Sequence, residues 1–207
     1  MRYQIFAILI YQLDKGDKMI RKIAFFLALL SVVTSSLLAE SIPNPCKLLS
    51  LQEVTKIMQI PMKEGRLKDS RKSYNGLSCT YYSIDQFGTT GNAKISIETT
   101  TDMKASEHIY NSAQELYKRQ KLATQQAYKR QKKSDAFLEL RGLGEDAFWD
   151  GYTLKVLDKD TYLAIHITGG FGLSASNAKE LEKKSKAKKL GISKEMMSVI
   201  LERANKR

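Results

Sequence analysis

Two cysteines and two histidines are all that 207 residues provide of the softer metal ligands and commonest general bases. There is no C-x-x-C pair, which disfavours a thiol oxidoreductase. Only His108 and His166 could join Cys46 and Cys79, and no ligand spacing links them, so a zinc site is disfavoured too. There is no G-x-S-x-G elbow and no recognisable nucleophile–base pairing. Charge is absent from residues 23–39 and acidic side chains are absent from residues 118–133. The first of these gaps bears on where the chain goes, the second on what it meets there.

The uncharged run has the strongly apolar core Ala24-Phe25-Phe26-Leu27-Ala28-Leu29-Leu30. Arg21 and Lys22 precede it, and Ser35, Ser36 and Ala39 close it. A basic start, an apolar centre and a small-residue exit form a secretory signal, cut after Ala39 to leave Glu40 first, with Leu37 at the −3 position. A spanning helix needs about 20 apolar residues. This run is shorter, and Thr34, Ser35 and Ser36 dilute its end, so cleavage is expected rather than retention as an anchor. Residues 1–18 do not fit a signal. Lys15-Gly16-Asp17 can be encoded with a ribosome-binding sequence a few nucleotides before the Met19 codon, so Met19 is expected to be the true start, with residues 1–18 a misassigned leader and 19–39 the signal peptide; the alternative is a long n-region.

Residues 40–207 then form a single exported domain, large enough for a real core. They hold 29 of the 34 basic and 20 of the 22 acidic residues, a net charge of +9. A basic exported protein meets anionic lipid, anionic glycan or acidic protein; nucleic acid suits the charge but not the compartment. Cys46 and Cys79, an even count in an oxidising compartment, read as one disulfide.

Ser50-Leu51-Gln52-Glu53 has the form of a capping box, and Leu51, Val54, Ile57 and Met58 follow at helical spacing until Pro61. Residues 77–85 and 93–99 read as a hairpin, with Gly88 and Gly91 marking its loop. Ile95 and Ile97 lie on one face of the second strand, Lys94, Ser96 and Glu98 on the other. Residues 102–133 read as one long helix with a narrow stripe of Ile109, Ala113, Leu116, Ala123 and Ala127. A short strand over 137–140, a turn at Asp150-Gly151, alternation at Leu154 and Val156, another turn at 158–160 and alternation at Leu163, Ile165 and Ile167 predict a meander of about three strands. A lysine-rich helix is expected from Ser174 or Ser176 to a stop at Leu190-Gly191. A last helix follows, capped by Ser193 and carrying Met197, Ile200 and Leu201. The fold class is therefore α+β: an antiparallel sheet of about five strands, hairpin plus meander, with helices mainly on one face.

Within the long helix, Tyr117-Lys118-Arg119-Gln120-Lys121 recurs as Tyr128-Lys129-Arg130-Gln131-Lys132. Eleven residues are close to three full turns, so both copies face the same way. Lys118, Arg119, Lys121, Lys129, Arg130, Lys132 and Lys133 are a candidate ridge for an anionic surface or acidic partner; the plainer reading of such a run is a solvated helix face. The lysine-rich segment 183–189 offers similar charge. Gly170, Gly172 and Ser174, between a strand and a helix, are a candidate small-anion loop, with an ordinary serine-capped connection as the alternative. Gly142-Leu143-Gly144-Glu145-Asp146-Ala147 matches G-x-G-x-x-A in form. Hairpin-like residues follow it where a dinucleotide site needs a helix, and Glu145 and Asp146 would repel phosphate. Read as paired acids for glycan hydrolysis, those two lack any sign of the desolvation such chemistry needs. Among the aromatics Tyr81, Tyr82, Phe148, Trp149, Tyr152 and Tyr162, most are expected in the core and some on a binding face. No metal or cofactor is called for.

The stretches "NPCKLLSLQEV", "GLSCTYY" and "LRGLGEDAFWDGYTLKVLDKDTYLAI" resemble small exported bacterial domains of unknown function. Those carry a Cys-x-Leu-Leu-Ser/Thr-x-x-Glu-Val start, a later Cys-Thr-Tyr and a Gly-Leu-Gly-Asp-x-Ala-plus-aromatic segment. Glu145 stands at the first acidic position of that last segment. The resemblance implies a disulfide, an α+β fold and no catalytic residues. Such domains are often lipoproteins, whereas this chain has no cysteine directly after the cut. The functional expectation is an exported, periplasmic binding or structural envelope protein without catalysis. The alternative is a periplasmic inhibitor or immunity protein against a secreted enzyme.

Overall fold

The computed structural model describes residues 44–73, 75–84, 91–106, 108–131 and 136–205. The leader and signal readings of residues 1–39 lie outside the described residues, as do Lys132 and Lys133 of the ridge. Among the described residues no helix is long and apolar enough to cross a membrane. Residues 42–207 make one compact unit.

The sheet is antiparallel throughout. Its strands are β1 (Arg66–Asp69), β2 (Leu77–Tyr82), β3 (Gly91–Thr99), β4 (Leu138–Leu140), β5 (Asp146–Trp149), β6 (Thr153–Asp158) and β7 (Thr161–Gly169). They lie in the order β1-β2-β3-β7-β6-β5-β4. Two meanders, β1–β2–β3 and β4–β5–β6–β7, are thus zipped together along β3 and β7, which pair from Gly91↔Gly169 to Thr99↔Thr161. The sheet has seven strands where about five were expected: β4 falls on the short strand read over 137–140, whereas edge strand β1 had no alternation to read. All four residues of β1 are exposed, and β4 has three residues.

Among the described residues four α-helices flank the sheet: α1 (Leu51–Met58), α2 (Thr100–Ala105), α3 (Ala113–Arg130) and α4 (Ala178–Asn205). They cover both faces rather than mainly one. Side chains alternate across a strand, and here both alternating sets find apolar partners. Cys79, Tyr81, Ile95, Leu154, Val156, Leu163, Ile165 and Ile167 pack with Leu49, with Val54 and Met58 of α1, and with Met196, Met197 and Ile200 of α4. On the opposite face Phe148, Leu157 and Tyr162 meet Met103 of α2 and Ala113, Leu116 and Tyr117 of α3. The second cluster is aromatic, with Tyr117 edge-on to Phe148 at 5.4 Å between ring centroids. Trp149 is buried in the first cluster and Tyr162 in the second, whereas Tyr82 and Tyr152 are exposed.

The expected helix over 102–133 is two helices. The Thr99 side chain caps α2, and the Ser112 hydroxyl caps α3 by accepting from the Glu115 amide. Ile109, expected on the apolar stripe, lies in the intervening loop and is exposed; Ala123 and Ala127 are exposed as well. The buried stripe is Ala113, Leu116 and Tyr117. Gln114 donates to the Lys159 carbonyl in the β6–β7 turn, and the Tyr128 hydroxyl donates to the Asp150 carbonyl in the β5–β6 turn. From Gln114 to Tyr128 a helix rises about 21 Å, and the six residues of β6 span about 20 Å. The helix therefore carries the chain from one end of the sheet to the other, where β4 can begin.

The two expected C-terminal helices are one. Gly191 lies inside α4, and Ser193 is buried within the helix rather than capping it. The helix starts at Ala178, where the Asn177 carboxamide accepts from the Glu180 amide. A glycine stops a helix only when the following backbone has something better to do. Here Ile192, Met196, Met197 and Ile200 bury against the sheet in helical register, and that burial carries the helix through.

Cys46 and Cys79 are bonded, closing a loop over a sequence separation of 33 with their Cα atoms 5.1 Å apart. Around the bond, the Tyr81 hydroxyl donates to the carbonyl of Leu49 at 2.7 Å and that of Cys46 at 3.2 Å. Replacing both cysteines by serine should lower unfolding stability by about 2–5 kcal/mol, read from urea denaturation. Gly191→Ala should act the other way. A Cβ there meets nothing within 4 Å, so removing a mid-helix glycine should raise stability by about 0.5–1 kcal/mol with an unchanged denaturant slope.

Candidate functional site

The ridge on α3 is only partly what its sequence implies. Eleven residues overshoot three helical turns by about 20°, so the two echoed copies do share a face. That shared face begins with the tyrosines. Tyr117 is buried on the sheet and Tyr128 reaches the Asp150 carbonyl. The repeat is therefore first a packing repeat. Lys121 follows the tyrosines inward and bonds Asp146 at 2.9 Å and Glu139 at 3.1 Å. Burial works against its charge, but the bonds to Asp146 and Glu139 outweigh it and raise its pKa. Lys121 ties α3 to β4 and β5 and is not available to a ligand. Lys118, Arg119, Lys129 and Arg130 are exposed and make no ion pair among the described residues.

The loop 170–177 is occupied by its own carboxylate. Glu180 accepts from both the amide and the hydroxyl of Ser176, which is where an incoming anion would sit. Ser174 offers its carbonyl to Lys184. Gly170 and Gly172 precede this arrangement, with Gly172 in a left-handed conformation. In the 183–189 segment, Lys184 pairs with Glu180 and Lys186 with Glu182 one turn apart, and Lys188 donates to Gln59.

The Gly142–Ala147 loop leads into strand β5, not a helix. Gly144 takes a positive φ, and a side chain there would also meet the Leu157 carbonyl at 2.5 Å. Glu145 is exposed and its amide donates to Leu157, while Asp146 is engaged by Lys121. The two acids thus do separate structural work.

Two arrangements escaped the sequence reading because both depend on register. The first is a row on the face opposite the disulfide. Pairings Arg66↔Thr80, Thr80↔Lys94, Lys94↔His166 and His166↔Thr153 line these five residues up across β1, β2, β3, β7 and β6. Beside it Lys68, Ser78, Ser96 and Ala164 are likewise aligned. Lys94 and Ser96 were legible as the polar face of a strand; that Arg66 and Lys68 join them was not. In this row the His166 ring lies 3.0 Å from the Thr153 hydroxyl, and burial, with Lys189 and Lys94 nearby, lowers its pKa despite Asp150.

The second is a buried cluster at the other end of β3. Glu98 and Asp102 are both nearly inaccessible, and the His108 Nε2 lies 3.7 Å from the Glu98 carboxylate. The His108 Nδ1 accepts from the Tyr110 amide, which in the neutral ring leaves the proton on Nε2, toward Glu98. Arg71 approaches Asp102 at 3.5 Å, and a cavity of about 10 Å³ lies between these groups. Burial pushes Glu98 up to about 7; His108 opposes this and Asp102 adds to it.

That shift makes stability pH-dependent. Below the ordinary carboxylate pKa both folded and unfolded chains hold the proton, and Glu98 costs nothing. As pH rises toward 7 the unfolded chain releases it first, so stability falls and stays lower above 7. Glu98→Gln should remove this fall, by up to about 3 kcal/mol. Urea unfolding at about pH 5 and about pH 8 measures it. An unchanged pH dependence in the variant would show that Glu98 ionises normally. No protein-family model, curated protein or solved structure matches this chain, so any functional reading rests on the surfaces described above.

Proposed function

We propose that this protein is exported to the periplasm, cut near Ala39, and acts there by binding an anionic envelope surface rather than by catalysis. The observation that carries the reading is uncompensated positive charge on a disulfide-closed domain. Lys118, Arg119, Lys129 and Arg130 project from α3 without an ion pair among the described residues, while Asp146 and Glu139 are engaged by Lys121, and the Glu115 carboxylate accepts from the Asn111 amide. A cation near an anionic surface contributes about 1 kcal/mol, so four acting together hold a protein of this size reversibly. The Cys46–Cys79 bond supports the compartment, since such bonds persist where the environment is oxidising.

The purified protein should cosediment with an isolated envelope fraction at low salt and be released at high salt, as expected when the Debye length shrinks from about 10 Å to about 3 Å. Intact mass of the exported form should begin at Glu40 and show no free thiol. A protein that ignores the envelope at low salt, and instead forms a salt-resistant stoichiometric complex with a secreted enzyme, would replace this reading with the inhibitor alternative.

A further inference from the structure

The half of the sheet facing away from the disulfide carries a further group of cations without an ion pair among the described residues. On this face the main helix contacts are those of α2 with β3 and of α3 with β6 and β7. Arg66, Lys68 and Lys94 are exposed and make no ion pair among the described residues. No carboxylate belongs to the row Arg66–Thr80–Lys94–His166–Thr153, nor to the positions Lys68, Ser78, Ser96 and Ala164 beside it, nor to Tyr82, Asn92 and Thr168 on its other side. The nearest acid along β3, Glu98, is buried against His108. Electrostatically the face is complementary to a polyanion.

The side chains between the cations narrow the class. Thr80, Ser96, Asn92, Thr153 and Thr168 are short hydrogen-bonding groups, and the one exposed aromatic among the positions of these rows is Tyr82, with the Arg66 guanidinium 5.7 Å from its ring centroid. A face built for a bilayer adds to its cations apolar side chains that insert below the headgroups, and the row contains none. Single-stranded nucleic acid is gripped by successive stacked aromatics, and Tyr82 stands alone. Adjacent strands are about 4.8 Å apart, so Arg66 and Lys94, two strands apart, are separated by about 10 Å. That is close to the length of two sugar rings, with Thr80 between them to meet a hydroxyl.

We propose that this face binds a linear anionic polysaccharide laid across β1, β2, β3, β7 and β6, its acidic groups on Arg66, Lys68 and Lys94 and its hydroxyls on Thr80, His166 and Thr153. The proposal rests on the envelope-binding reading, names the component bound, and moves the specific contact from the α3 ridge to the sheet.

Calorimetry on the purified protein tests it, with polygalacturonate and dextran sulfate as charged probes. Uncharged dextran, phosphatidylglycerol vesicles and a single-stranded oligonucleotide serve as comparisons. The variant Arg66→Ala/Lys68→Ala/Lys94→Ala alters only exposed side chains, and its thermal unfolding is checked first. It should bind both charged polysaccharides about tenfold more weakly, with a shallower salt dependence. The variant Lys118→Ala/Arg119→Ala/Lys129→Ala/Arg130→Ala removes one charge more, yet should keep the affinity within about threefold, which separates a built face from net charge. The chain has two histidines, so saturation should move the imidazole signals of His166 and leave those of buried His108 in place. Undiminished binding by the sheet variant, or an equal loss in the helix variant, would overturn the proposal. Tighter binding of vesicles or oligonucleotide than of either polysaccharide would assign the face to that partner instead. No binding to any polyanion, by wild type or variants, would remove the envelope reading itself.

Discussion

The Cys46–Cys79 bond is the constraint around which this fold is arranged. It joins the segment that enters α1 to the second strand of the sheet, and everything near it is placed by that junction. Tyr81, two residues beyond Cys79 and on the same face, turns its hydroxyl to the carbonyls of Cys46 and Leu49. Burial pushes that hydroxyl's pKa up to about 12, which keeps it a donor. Gly65 passes so close over the bond that a Cβ would meet Cys79 Sγ at 2.4 Å and the Tyr81 ring at 2.9 Å. From the other end of the chain Arg203 donates to the Leu48 carbonyl and to Glu53, closing α4 onto the start of α1. Burial alone would raise the Glu53 pKa, but the bonds from Ser50 and Arg203 hold it below its ordinary value. A covalent tie, a buried tyrosine and a guanidinium thus fix one corner, and the first core fills in behind it.

The opposite face is built by different means. It has a smaller aromatic cluster, and α3 is held to it by polar contacts at both ends and by Lys121 in the middle. An ion pair of this half-exposed kind adds little to stability. Its effect is positional: it commits one cation of the echo to the fold and leaves its neighbours outside. The same division runs through the whole surface. Lys155 is taken by Asp150, Lys184 by Glu180 and Lys186 by Glu182, whereas Lys118, Arg119, Lys129 and Arg130 of α3 and Arg66, Lys68 and Lys94 of the open sheet make no ion pair among the described residues.

Much of the fold was legible because burial and chain geometry leave periodic marks. The capping box at Ser50–Glu53 is present in both directions. The alternation at Ile95 and Ile97, the turn at Asp150-Gly151 and the alternation at Leu163, Ile165 and Ile167 became β3, the β5–β6 turn and β7. The misreadings have separate physical causes. Gly191 sits inside a helix because the residues after it bury in register. The break between α2 and α3 was masked by apolar Ile109, which the structure exposes. Strand β1 left no mark because a wholly exposed edge strand needs none.

Composition and pattern alone determined the class of fold, the cysteine pair and the positive charge, since these follow from residue type and local period. Which cations stand together was decided only by the tertiary structure. Lys121 and Lys118 are three residues apart, yet helical rotation sends one to Asp146 and the other to solvent. Arg66 and Lys94 are 28 residues apart, yet strand pairing sets them in one row with Thr80 between them. Charge is a property of the chain, but its spacing is a property of register, and register is set by which strand edges hydrogen-bond and which faces bury.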